Sequence, residues 1–251
     1  MSEAPEVSFV SHLIELRDRL IRSLVALGIV FIALCIYPGP GFIYDILALP
    51  LTQALPEGTK MLAIGVVTPF MVPIKVTSMV AFVIALPYLL FQLWGFVAPG
   101  LYAHEKRLGL PLLIASTLLF LLGMAFCYFL VFGQAFKFIA SFAPKSITAA
   151  PDIESYLSFV LTMFAAFGLA FEVPVVLVVL VRMGIVSVEK LRQWRSYFIV
   201  VAFVIAAVVT PPDVVSQLAL GIPMCLLYEI GIICASIVAK SARENPSQES
   251  R

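Results

Sequence analysis

The sequence predicts an all-α membrane protein with six transmembrane helices. Hydrophobic residues make up 62% of its 251 residues, charged residues only 12%, and the mean hydropathy is +1.07. A soluble domain carries about half apolar residues. The excess lies in runs that approach or exceed the ~18 residues that indicate a membrane span. The helical bundle is therefore the expected domain.

Six apolar runs lie between charged or Pro/Gly-rich breaks, and each predicts one span. In chain order they are Leu20–Tyr37, Met71–Phe96, Leu108–Phe132, Tyr156–Val181, Tyr197–Thr210 and Val215–Val238. Prolines 87, 174 and 223 interrupt three of these runs and predict kinked helices. The fifth run is short: about 14 residues rise about 21 Å, less than the ~30 Å hydrocarbon core.

The basic residues predict which way the chain faces. Most of the 16 Lys and Arg residues lie before the first run, in alternate loops or in the tail. The positive-inside rule then places both termini in the cytoplasm. The net charge is +1 and no basic run occurs, so we expect no nucleic-acid partner.

The ends of the chain differ from its middle. We predict a transmembrane domain over residues 1–238 that includes a cytoplasmic N-terminal helix at 11–20, which Ser11 can cap. Residues 239–251 are polar and small, which predicts a solvated, disordered cytoplasmic tail. An apolar piece near Ile43–Leu51 is too short for a span and predicts an interfacial cap.

Ionisable residues inside spans are rare and usually functional. Glu172 lies mid-span beside Pro174; it is either a protonated acid bonded to a neighbouring helix or a polar point lining a groove. Glu229 is closer to a span end and could reach the interface. In the N-terminal segment, Glu15 and Arg19 have the spacing of an intrahelical ion pair, and Glu105 reads by default as a solvated loop residue.

Enzymatic motifs are missing from the sequence. The two histidines, His12 and His104, lie in predicted cytoplasmic segments, and neither H-E-x-x-H nor G-x-S-x-G occurs. The four cysteines lie in apolar stretches without a C-x-x-C pair. We therefore expect no catalysis, no metal site and no cofactor.

Several short motifs in order resemble the TatC family, the receptor subunit of the twin-arginine translocase. They are His12–Arg17, Gln92–Leu101 followed by Glu105, Phe167–Pro174, Thr210–Asp213 with Ser216 and Gln217, and Leu227–Glu229. The resemblance implies a concave, glove-like bundle with short fifth and sixth spans. It also implies twin-arginine signal peptides of folded cargo as ligands, TatA- and TatB-type single-span subunits as partners in a membrane oligomer, and the proton-motive force as energy source.

The resemblance assigns candidate roles to residues of three regions. It implies a signal-peptide site of Glu15, Leu16, Arg17, Phe96 and Glu105, groove residues Glu172 and Asp213, and partner-docking residues Thr210, Gln217 and Glu229. Paired carboxylates suit this ligand, because a guanidinium can bind a carboxylate through two parallel hydrogen bonds and lysine cannot.

Two alternatives use the same residues differently. In a proton-coupled solute transporter, Glu172 would carry the proton and the kinked helices would move. That hypothesis gives Glu15 and Glu105 no role. An interaction-only scaffold would tolerate neutralisation of all these carboxylates.

Overall fold

The computed structural model describes residues 4–54, 62–97, 106–141, 152–210 and 214–244, and these ranges are almost wholly helical. The helices are α1 Ala4–Ile36, α2 Pro40–Ala54, α3 Thr68–Val97, α4 Lys106–Phe126, α5 Phe132–Ser141, α6 Ile153–Phe171, α7 Val173–Arg182, α8 Val188–Gln193, α9 Arg195–Val209 and α10 Val214–Glu244. A π-helical turn, Cys127–Val131, joins α4 to α5.

The six predicted spans agree with the helices of the structure. Within the described residues, five helical segments are long and apolar enough to cross a membrane: Ser11–Ile36, Thr68–Val97, Gly109–Ala135, Ile153–Arg182 and Val214–Lys240. The remaining span corresponds to α9, which has 15 residues. At 1.5 Å per residue it is about 22 Å long, so the expected short fifth span is confirmed. The apolar cap piece is helical in α2, which is shorter than a span.

The expectation of a short sixth span is wrong. Helix α10 has 31 residues, of which Val214–Lys240 form the span-length segment. Its apolar run contains no further proline after Pro223, and good helix formers continue the helix into the polar end. The helix therefore passes the boundary that we drew at residue 238 and ends at Glu244. Residues 245–251 of the expected tail lie outside the described residues.

The N-terminal helix is continuous with the first span. We expected a helix that starts at Ser11 and a span that starts at Leu20, whereas α1 begins earlier, at Ala4, and runs unbroken through 33 residues. No proline separates the charged half from the apolar half. The charged residues of this segment are therefore carried on a rigid extension of a transmembrane helix.

The prolines differ in their effect on the helices. Helix α3 continues through Pro87 and α10 through Pro223. The fourth span, by contrast, is divided at Glu172, with Pro174 in the first turn of α7. The π-helical turn in the third span was not predicted, because neither proline nor glycine marks it.

The chain forms two compact units, and the first consists of Met1–Leu47 and Pro69–Thr117. Inside it, the indole of Trp94 in α3 donates a buried 3.0 Å hydrogen bond to the Ser116 hydroxyl in α4. A polar contact of this kind between apolar helices contributes about 0.6–2 kcal/mol. It fixes the packing partner of α3 within this unit.

The second unit consists of Ala48–Thr68 and Leu118–Arg251. Glycines allow its helices to approach closely, because a Cβ at Gly123 would lie 2.5 Å from the Phe167 carbonyl oxygen and one at Gly231 would lie 2.9 Å from the α-carbon of Pro174. Small residues at such crossings are typical of membrane helix packing. Helix α10 therefore lies directly against the start of α7.

Candidate functional sites

The first candidate site is a cluster of side chains on α1 and α3. The Arg19 guanidinium donates to Oε1 of Glu15 from both Nε, at 2.9 Å, and Nη2, at 2.6 Å. The same guanidinium lies against Gly95, where an added Cβ would collide with it. The i, i+4 spacing predicted this pair, and the small residue in α3 gives the arginine its place.

A second contact joins the same two helices. The imidazole of His12 stacks on the Phe96 ring, with centroids 4.4 Å apart and planes 19° from parallel. We call His12, Glu15, Arg19, Gly95 and Phe96 the N-terminal patch. The structure thus brings Glu15 and Phe96, two of the predicted signal-binding residues, to one surface of the first unit.

The other predicted signal-binding residues are placed differently. Leu16 is exposed on α1, next to Glu15 in the chain. The Arg17 guanidinium bonds to the neighbouring Asp18 carboxylate at 2.9 and 3.0 Å, so it pairs away from Glu15. Glu105 lies outside the described residues.

Glu172 occupies the break between α6 and α7. Its backbone N–H donates to the Leu169 carbonyl at 3.1 Å, and its own carbonyl accepts from Val176 at 3.0 Å. The residue is 7% exposed, so the carboxyl group is inside the second unit and not turned to lipid. A buried acidic residue is rare inside a membrane span, and here it coincides with a break in the helix. The position therefore has either a functional or a structural role. Asp213, its predicted companion, lies outside the described residues.

Two predicted docking residues bond to α9. The buried Thr210 hydroxyl donates to the Ala206 carbonyl at 2.8 Å, and the Gln217 amide donates to the Phe203 carbonyl at 3.5 Å. The same carbonyl also accepts from the Thr210 backbone N–H at 2.9 Å, so the hydroxyl is its second donor. The Gln217 bond therefore joins α10 to α9, whereas the Thr210 bond is local to the end of α9.

Glu229, the third predicted docking residue, forms an ion pair with Arg195. Arg195 Nε lies 2.7 Å from Oε1 and Nη2 lies 2.7 Å from Oε2, which is bidentate geometry. Beside the pair, the Tyr228 hydroxyl donates to the Leu191 carbonyl at 2.8 Å, and its ring stacks on Phe198 with centroids 4.0 Å apart. Sequence reasoning missed this partner, because the residues are 34 positions apart.

Another carboxylate lies just before the fourth span. Asp152 caps α6 by accepting from the Ser155 backbone N–H at 3.0 Å and from its hydroxyl at 2.8 Å. These hydrogen bonds favour the charged form and lower the pKa of Asp152 below its usual value. The neighbouring Ile153 N–H donates to the Leu62 carbonyl at 2.9 Å, which joins the loop before α3 to this helix start. Within the described ranges, no three His, Cys, Asp or Glu residues are arranged to hold a metal.

These helices, with their lengths and apolar character, define a multi-pass membrane protein. The family described as "TatC: Sec-independent protein translocase protein (TatC)" matches residues 11–223. The chain belongs to the TatC family. Relatives of the same name are 49% identical in Haemophilus influenzae, over 90% of this chain and 88% of the relative, and 48% identical in Escherichia coli K12, over 92% and 89%.

Solved structures show the same relationship. The "Crystal Structure of Twin Arginine Translocase Receptor- TatC" superposes with a TM-score of 0.76 at 42% identity, covering 90% of this chain and 99% of that chain. A second crystal structure of that receptor, in DDM, gives a TM-score of 0.78 at 42% identity, covering 89% and 99%. The resemblance found in the motifs is confirmed. The protein is a component of the Sec-independent protein translocase, and so takes part in protein transport rather than catalysis.

Proposed function

We propose that the protein is the translocase subunit that receives twin-arginine signal peptides, and that the N-terminal patch is part of the receiving site. Two facts support this proposal. The crystallised relative is described as a twin-arginine translocase receptor. The patch in this chain also holds a carboxylate whose partner is a guanidinium.

The observation that carries the proposal is the way Glu15 binds Arg19. Both donors of Arg19 go to Oε1, at 2.9 and 2.6 Å, and the Glu15 side chain is 40% exposed. The site is therefore reachable from solvent and already shaped for a guanidinium. An intrahelical pair of this kind is worth about 0.3–0.5 kcal/mol. A signal arginine that forms charged hydrogen bonds worth about 1.5–3 kcal/mol can displace it.

The surrounding residues suit the rest of such a ligand. Phe96 and the exposed Leu16 offer apolar contact beside the carboxylate, and His12 holds the Phe96 ring in place. A signal peptide with paired arginines requires a second acid, and the motif match assigns that role to Glu105. Arg17, paired with Asp18, then sets the charge at the edge of the site.

The remaining candidate residues belong to later steps of the proposal. TatA- and TatB-type single-span subunits dock beside α9 and α10, near Thr210, Gln217 and Glu229, in a membrane oligomer driven by the proton-motive force. Glu172 and Asp213 belong to the groove through which the inserted signal acts. In this proposal both termini lie on the cytoplasmic side of the inner membrane, where precursors arrive, and the distribution of basic residues supports that orientation.

A peptide-binding experiment tests the proposal. A fluorescent signal peptide with Arg-Arg is titrated against the purified protein and compared with its Lys-Lys counterpart and with the Glu15→Ala variant. Loss of one or more charged hydrogen bonds should weaken binding roughly 10- to 100-fold in either case. Glu189→Ala, which removes an exposed carboxylate from α8, is the matched control and should bind like the parent. Equal affinity of Glu15→Ala and parent would refute the proposed site.

A further inference from the structure

An apolar groove lies within the second unit. Its volume is about 710 Å³, and its walls come from the fourth span and α9, with Tyr228 of α10 and Leu191 of α8 beneath. This volume falls in the range of about 300–1,000 Å³ that is typical of small-molecule sites. We call it the α7–α9 groove. No residue of the N-terminal patch lines it.

The groove covers about one leaflet of a membrane. Its lining runs along α6 and α7 from Leu169, near the middle of the fourth span, to Leu180, near its end. At 1.5 Å per residue the two positions are roughly 16 Å apart, which is about half of the ~30 Å hydrocarbon core. This length matches one acyl chain. A partner's transmembrane helix of about 20 residues would extend well past it.

Aromatic and basic side chains mark the open end of the groove. Trp194 and Tyr197 line this end and are 45% and 73% exposed, as is usual for aromatic residues at a membrane interface. The Lys190 ammonium lies 5.3 Å above the centre of the Trp194 ring. An ammonium has three donors, and a cation–π contact leaves them available to an oxygen ligand. Arg192 adds a second exposed positive charge on the same short helix.

The nearby arginine does not share this role. The Arg195 guanidinium is held in bidentate contact with Glu229, so its charge is largely compensated. Among the described residues of α8 and α9, Lys190 is the cation that the structure places against the groove lining, over the Trp194 ring. An apolar groove one leaflet long, ending under a positive charge at the interface, is complementary to a lipid with an anionic headgroup.

We propose that the α7–α9 groove binds one acyl chain of an anionic phospholipid whose phosphate contacts Lys190. The lipid is part of the folded protein in the membrane. It fills the space between the fourth span and α9 and stabilises the position of the short helix against α10.

The protein provides a built-in reporter for this test. It has two tryptophans, and Trp94 is buried in the first unit while Trp194 lines the groove. In a Trp94→Phe background, the full chain in detergent is titrated with phosphatidylglycerol brominated in its acyl chains, and quenching of Trp194 is followed. Phosphatidylcholine with the same brominated chains is the comparison lipid. Native mass spectrometry counts the lipids retained.

The expected result is saturable quenching at one lipid per chain, with phosphatidylglycerol binding about fivefold more tightly than phosphatidylcholine. Lys190→Gln should remove the difference between the two lipids, whereas Arg22→Gln, which removes an exposed charge from α1, should keep it. Val176→Phe with Val201→Phe fills the groove and should weaken binding of both lipids about tenfold. Val204→Phe with Val208→Phe, on α9 outside the groove lining, should not.

Three outcomes would overturn the proposal. One is non-saturating quenching that the filling substitutions leave unchanged. Another is the absence of quenching by either lipid, which would favour a protein helix as the occupant of the groove. The third is a two-chain species that the filling substitutions dissociate, since a second copy would then cover the groove. If the filled variant does not fold, the lipid selectivity of Lys190→Gln still decides the question.

Discussion

Two arginine–carboxylate pairs in this protein have the same chemistry and different architecture. Arg19 and Glu15 lie one turn apart on α1, and both arginine donors meet a single oxygen. Arg195 and Glu229 lie on different helices, and each carboxylate oxygen has its own donor. The first pair joins two residues of a single helix, whereas the second forms only when α9 and α10 are packed.

The difference indicates which pair can be exchanged for a ligand. Opening the first pair requires one side-chain rotation and leaves α1 intact, so a guanidinium from outside can take its place. Opening the second pair removes a contact between two helices. We therefore expect substitutions in the first pair to change ligand binding and substitutions in the second pair to change stability.

The largest expected stability effect is the coupling between Arg195 and Glu229. A double-mutant cycle with Arg195→Ala and Glu229→Ala, read from thermal unfolding in detergent, should give a coupling energy of about 1 kcal/mol. This is the upper end for pairs that are nearly half exposed. The same cycle for Arg19 and Glu15 should give about 0.5 kcal/mol or less. Equal couplings would mean that the bidentate, interhelical geometry adds nothing.

A smaller effect is expected when the internal competitor is removed from the N-terminal patch. Arg19→Gln should raise the affinity for an Arg-Arg signal peptide about twofold, because the ligand no longer has to break an intrahelical pair. Arg22→Gln removes a nearby positive charge outside the patch and serves as the control in the same titration. Weaker binding by Arg19→Gln would show instead that Arg19 positions Glu15 for the ligand.

The smallest effect is expected for Asp152, a carboxylate that caps the start of α6 and is not paired with an arginine in this comparison. The pKa of Asp152 is lowered by the Ser155 N–H, so its charge adds stability above the unfolded-state value of 3.8. That stability is lost as the pH falls through the lower folded-state pKa. Asp152→Asn should therefore melt slightly below the parent at pH 7, and the difference should close as the pH falls through the folded-state pKa of Asp152. A difference independent of pH would assign the effect to shape and not to charge.

Local features of the sequence predicted much of this architecture. The lengths of the apolar runs and the positions of the charges predicted the spans, including the short α9. This works because the backbone inside a membrane must form a helix, and a helix has a fixed rise per residue. The Glu15–Arg19 pair also followed from spacing alone. Pro174 marked the break at Glu172, because proline removes a backbone donor.

Features that depend on tertiary packing could not be predicted. The Arg195–Glu229 pair and the Trp94–Ser116 hydrogen bond need two helices to be neighbours, and no spacing rule supplies that information. We expected a short sixth span because the resemblance implied one. The helix that forms there, α10, has 31 residues. The roles of Glu105 and Asp213 remain predictions, since both lie outside the described residues.

The 15-residue length of α9 has a mechanical consequence for the surrounding membrane. A helix about 22 Å long beside a hydrocarbon core of about 30 Å leaves a mismatch of roughly 8 Å. Each ångström costs a fraction of a kcal/mol in bilayer deformation, so the lipids next to α9 hold elastic energy on the order of a few kcal/mol. A short transmembrane segment placed beside α9 would relieve part of that mismatch, so we expect such segments to pack preferentially along this edge of the protein.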